Sequence, residues 1–248
     1  MEILYILWLR QVKKYFRSKS RIIGSLGQPL LYLLSFGYGF GSIFAKAGQG
    51  NYIQFLAPGI IAMSVLFTAI FSGIEIIWDR QFGFLKETMV APVSRFTIML
   101  GRTLGGATVS TFQGIIVLIL ASLVGFRVSN FSLLPFAILF MFIIALLFCA
   151  MGTALASTMQ DMQGFQLVMN FLVMPIFFLS GSLFPLQGLP PLMEIATKID
   201  PMTYGIDGLR GTLGGIAHFG LTYDILMLSG ITLFFLLLGS YLFSKIQV

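Results

Sequence analysis

Six long apolar runs constrain this chain more than any other feature, at residues 22–44, 57–78, 97–126, 132–157, 164–185 and 222–244. A helix rises about 1.5 Å per residue, so about 20 apolar residues cross the hydrocarbon core of a bilayer. Each run is long enough. Of the 248 residues, 57% are hydrophobic and 10% charged, against about 45–50% and about 25% in a soluble domain. So little polar surface does not cover so large an apolar one in water. A transmembrane barrel would show short segments of alternating polarity instead of unbroken runs. The pattern predicts an all-α polytopic membrane protein with six transmembrane helices and a single domain over 1–248.

The charges orient it. With the N-terminus in the cytoplasm, the inner side receives Arg10, Lys13, Lys14, Arg17, Lys19, Arg21, Arg80, Lys86, Arg95, Arg102 and Lys245. The outer side keeps Lys46, Arg127, Lys198 and Arg210. That asymmetry follows the positive-inside rule and puts both termini in the cytoplasm at the cell membrane. The net charge of +6 is then read as basic residues facing anionic lipid headgroups, not nucleic acid. Cys149, the one cysteine, lies in an apolar run, which excludes an intrachain disulfide and a cysteine metal cluster.

Residues 2–21 precede the first run and predict a helix lying on the membrane. Arg10, Lys13, Lys14, Arg17 and Arg21 fall on one face at helical spacing, with Tyr5, Leu9, Val12 and Phe16 opposite. Segment 186–221 is too apolar for a free loop and too broken for a span. Pro190-Pro191 suits a helix start, and Asp200-Pro201 marks a break. Two short re-entrant helices in the outer leaflet are expected there, shielded by protein.

No catalytic or nucleotide-binding motif stands out. A Walker A loop needs a Gly-Lys pair, and the chain has none. "GIDG" (205–208) is similar to the surroundings of an intramembrane aspartyl protease carboxylate, but that chemistry needs a second carboxylate at matching depth in another span. Glu75 and Asp79 lie at the opposite membrane face, and no other acid is expected there. Gly101 and Gly105 form a GxxxG pair that predicts close helix packing. Glu75 is the one acid well inside an apolar run. An ionisable group there is a functional candidate, and an intramembrane pair of Glu75 with Arg102 is expected.

One short stretch, residues 78–96, is unusually charged, with Asp79, Arg80, Lys86, Glu87 and Arg95. Extended to "WDRQFGFLKETMVAPVSRFTIMLGR" (78–102), and taken with "FLSGSLFPLQGLPPLMEIATKIDPMTYGIDGLRG" (178–211), it resembles the membrane subunit of a type-2 ABC exporter, the ABC-2 permease family. Its drug- and antibiotic-resistance permeases look most similar, and the order of spans matches as well.

The resemblance implies a coupling helix at Gly83, Phe84, Leu85, Lys86, Glu87, Thr88, Met89, Val90 and Ala91, docked on a separate ABC ATPase subunit and stopped by Pro92. Phe84, Leu85, Met89 and Val90 would supply its apolar contact. It also implies two ATPase copies that bind ATP and magnesium, a second permease copy in a homodimer, and no cofactor or metal in this chain. The function expected is ATP-driven export of an amphiphilic, drug-like or lipid-like compound. The alternative is a secondary carrier or channel driven by an ion gradient, for which inverted repeats are expected and none is visible.

Overall fold

A computed structural model of the chain describes residues 2–46, 50–90 and 93–246. They form helices and turns, with no strand among them. The helices are α1 (Glu2–Arg17), α2 (Lys19–Gly39), α3 (Gly41–Lys46), α4 (Tyr52–Phe71), α5 (Ile74–Gln81), α6 (Phe84–Val90), α7 (Arg95–Val124), α8 (Leu134–Thr158), α9 (Met162–Leu179), α10 (Pro191–Ile199), α11 (Pro201–Gly214) and α12 (Leu221–Ser244).

Side chains placed to satisfy free backbone amides mark several helix starts. Asn51 accepts from Ile53 N before α4, Ser94 from Thr97 N before α7, Asp161 from Gly164 N before α9, and Asp200 from Met202 N before α11.

Five stretches are long and apolar enough to cross a membrane: Tyr52–Gln81, Arg95–Val124, Phe131–Thr158, Met162–Leu179 and Leu221–Ser244. The chain is a multi-pass helical membrane protein. The expected first span, 22–44, is divided between α2 and α3 by a turn at Phe40. At 21 residues, α2 is about 31 Å long, but the polar residues of its first turns make it less apolar than the five.

The core forms where α4, α7 and α8 pack together, and Leu56, Ile61, Leu66, Met99, Phe140 and Phe148 are buried there. The first spanning stretch breaks at Ser72-Gly73, between α4 and α5. Gly73 is required at that break. A Cβ would come within 2.5 Å of the Gly152 carbonyl oxygen on α8, so the two backbones touch directly. The outside of the bundle is greasy: Leu123, Leu167, Phe171, Leu226, Leu233 and Phe234 are all exposed. In water such a surface would aggregate, and in lipid it is solvated.

The chain doubles back so that its connections gather at two ends. One end holds α6, the α8–α9 junction and Lys245. The other holds α10, α11 and the turn at 125–130. Between α9 and α12 the two expected short helices are present, as α10 and α11. Nearly all of α11, from Met202 to Leu213, is buried, whereas α10 exposes Leu192, Ile195 and Ile199.

The N-terminal helix is shorter than expected. It ends at Arg17, Ser18 interrupts it, and Arg21 belongs to the first turn of α2; the Arg21 side chain lies outside the described residues. The helix also has three faces, not two. Tyr5 and Phe16 are exposed on the apolar face, and Lys13 and Arg17 on the basic one. A third face, with Leu7 and Tyr15, is buried against α7.

Candidate functional site

The charged stretch at 78–96 folds into the end of α5, the turn at Phe82-Gly83, all of α6 and the start of α7. Gly83 has φ of 80°, a left-handed conformation open mainly to glycine, and it lets α6 leave the line of α5. A short helix, α6 (Phe84–Val90), covers most of the stretch 83–91 expected to be the coupling helix. Ala91 and Pro92, its expected end and stop, lie outside the described residues, as does the Val90 side chain.

The apolar side chains of α6 divide in two. Leu85 is fully buried, and Met89 packs against the same core. Phe84 is 50% exposed, and Phe82 in the turn is 66% exposed. Lys86 and Glu87 are exposed as well. The expectation that Leu85 meets a partner is therefore corrected, whereas Met89 is half-buried at the edge of the same core. At helical spacing they share the face that roots α6 in its own protein, so the face left free carries Phe84.

Most of the remaining charges in the stretch hold helices together. Arg80 donates to the carbonyls of Met159 (3.1 Å) and Ser157 (3.2 Å), tying α5 to the end of α8. Arg95 donates to the carbonyls of Ser244 (2.6 Å) and Ile246 (2.9 Å), tying the start of α7 to the end of α12.

The two acids of α5 reach two other helices. Asp79 accepts from Arg102 on α7, and both side chains are buried. Arg10 on α1 lies 3.5 Å from the other Asp79 oxygen. Lys14 lies 3.1 Å from Glu75. The expected Glu75–Arg102 pair is thus corrected: Arg102 is bonded to Asp79, one turn further along α5, and Glu75 is paired with Lys14. Which acid an arginine meets depends on how α5 and α7 are rotated against each other, and sequence spacing does not encode that.

Glycines let α1 approach closely enough for these bonds. A Cβ at Gly101 would lie 3.0 Å from the Leu7 Cβ, and one at Gly105 would lie 2.7 Å from the Gln11 Cβ. The GxxxG pair is therefore a packing surface, and its partner is α1. Polar bonds continue the seam: Trp8 Nε1 donates to Thr108 Oγ1 at 2.9 Å, and the Tyr15 hydroxyl donates to Gln113 Oε1. Helices α1, α5 and α7 therefore form one tied unit beside α6.

The opposite end is built around Arg210 on α11. Its guanidinium sits 3.9 Å over the Phe55 ring and donates to the carbonyls of Gly181 (2.9 Å) and Phe55 (3.3 Å). It borders an open cavity of about 720 Å³ whose polar lining includes Gln54, Arg127, Asp207 and His218. Asp207, from the GIDG stretch, accepts from the backbone amides of His218 and Phe219, each at 2.8 Å. A second acid does lie beside it. The Asp224 carboxyl on α12 lies beside Asp207, contrary to the expectation that no acid sits there. Both are buried, with Asp207 2% and Asp224 0% exposed, so neither is open to a peptide bond. The dyad does not revive the protease reading.

The fold and these ends define a class: a polytopic helical membrane protein with no nucleotide-binding motif in its sequence. Residues 2–213 match the family model for the ABC-2 type transporter, and the chain belongs to that family. Among its relatives is a putative transport permease, ycf38, of Cyanophora paradoxa, 28% identical over 84% of this chain and 72% of that protein. Nodulation protein J of Rhizobium leguminosarum bv. trifolii is 27% identical over 85% of this chain and 78% of its own. The inner membrane transport permease YadH of Escherichia coli K12 is 28% identical over 84% and 82%. The chain is a membrane transport permease.

Proposed function

We propose that this permease is the membrane half of an ATP-driven exporter, and that a separate ATPase subunit drives it by docking on α6. The observation that carries the reading is the division of α6. Leu85 is sunk in the core while Phe84 stands out beside exposed Lys86 and Glu87. A helix rooted in this way carries a push or pull into the bundle, and the ion pairs of α5 with α1 and α7 spread it.

In this reading the α6 end is cytoplasmic, with both termini. The α2–α3 segment completes a set of six spans. Helices α10 and α11 re-enter the outer leaflet, and α1 lies along the inner headgroups with Lys13 and Arg17 toward them. Two permease copies and two ATPase copies assemble at the cell membrane, and ATP and magnesium reside on the ATPase. Closure of the ATPase dimer shifts a two-state equilibrium of the spans. The cargo in this reading is an amphiphilic, drug-like or lipid-like compound, as the resemblance to drug-resistance permeases implies.

The test is reconstitution in vesicles, with and without the cognate ATPase. The expected outcome is efflux that requires both the ATPase and hydrolysable ATP. Full-rate transport by the permease alone under an ion gradient would establish a secondary carrier instead.

A further inference from the structure

We infer that Asp207 and Asp224 hold one proton between them, forming a proton-binding site where α11 meets α12. This goes beyond the transport reading and does not depend on the cargo. The carboxyl of Asp207 accepts from two backbone N–H groups, that of His218 shared between both oxygens and that of Phe219 on one of them, an arrangement that suits a charged acceptor. Asp224 is the reverse. It is completely buried, and neither of its carboxyl oxygens has a hydrogen-bond partner among the described residues. A bare ionised carboxylate in such a place is strongly unfavourable, and more so with a second carboxylate against it. A proton on Asp224, donated to Asp207, removes both problems at once.

The surroundings supply no other remedy for Asp224. On α11, Arg210 lies beside Asp207 but directs its bonds to Phe55, Gly181 and Ser182. Tyr204 on α11, Tyr223 on α12 and Asp200 at the head of α11 are the other ionisable groups nearby, with His218 on the connecting turn. Helix α8 meets this part of α11 with Phe140 and Ile144, both apolar, against Gly208 and Gly205. Asp207 and His218 also line the open cavity, which gives protons a way in. The seam between α11 and α12 therefore answers to the pH on that side of the membrane.

The experiment uses the full chain in lipid, in an Asp200→Asn background so that the other buried carboxyl of this region is silent. Infrared spectroscopy with isotope-labelled aspartate reads the carbonyl stretch of a protonated carboxyl. At neutral pH the band is expected, and it should fade as the buffer is made alkaline. Asp224→Asn should abolish it and flatten the pH dependence of the melting temperature, since an amide there still donates to Asp207. If no such band exists at neutral pH, or if it persists in Asp224→Asn, the site is not there. The reading of the unsubstituted pair stands whether or not that variant folds.

Discussion

Asp79 and Arg102 show what a single residue contributes here. Both are buried, and removing one partner of a buried ion pair typically costs about 3–5 kcal/mol. The two removals are not equivalent. After Arg102→Met, Asp79 still has Arg10 nearby. After Asp79→Asn, Arg102 loses its carboxylate while its Nε and Nη1 already lack acceptors among the described residues. The melting temperature in detergent should therefore fall further for Asp79→Asn, and the double variant should recover part of that loss. Equal melting temperatures for all four proteins would remove this pair from the stability of the fold. Asp200 offers a second residue-scale test. Burial pushes its carboxyl up to about 8, partly opposed by the Met202 amide, whereas an unfolded Asp titrates near 3.9. Between those values the folded state holds more protons than the unfolded one, so stability falls as pH rises across that window. Asp200→Asn keeps the helix cap and should remove that part of the slope, as read from thermal unfolding between pH 5 and 9.

At the scale of elements, α6 makes the sharper prediction. Phe84→Asp should lower recovery of the ATPase in pull-downs at least tenfold with little change in melting temperature. Leu85→Asp should do the opposite first, lowering the melting temperature, because it buries a charge in the core. If Leu85→Asp leaves the fold intact and abolishes only binding, then Leu85 is itself the contact surface. The elements were also the most legible part of the sequence. Run length alone marks α4, α7, α8, α9 and α12, and Pro190-Pro191 with Asp200-Pro201 marks α10 and α11. The family resemblance, not run length, locates α6, with an expected start at Gly83 one residue before the observed Phe84. What stayed hidden was orientation. The inward turn of Leu85, the break at Ser18 and the exchange of partners between Glu75 and Asp79 all depend on how helices far apart in the chain rotate against one another. Asp224 was missed for the same reason. Its neighbour Asp207 lies seventeen positions away across a turn, and its place in the first turn of an apolar helix resembles a simple helix-start charge.

For the whole molecule, the two gathered ends imply a topology that can be read chemically. Cys149 is buried, so it should stay silent to membrane-impermeant thiol reagents, and single introduced cysteines then report cleanly. Phe84→Cys and Leu192→Cys both replace exposed side chains, 50% and 80% accessible, at opposite ends. Sealed vesicles of one orientation should label one and not the other, and the pattern should invert in inside-out vesicles. Labelling of both from one side would refute the opposed ends. The rooting of α6 has a further consequence for assembly. In the proposed assembly the ATPase meets a helix whose pose its own protein already fixes, a preorganised handle. Association should then proceed as a rigid encounter between two finished surfaces. Its rate should respond to ionic strength through Lys86 and Glu87, and only weakly to anything that stiffens the chain.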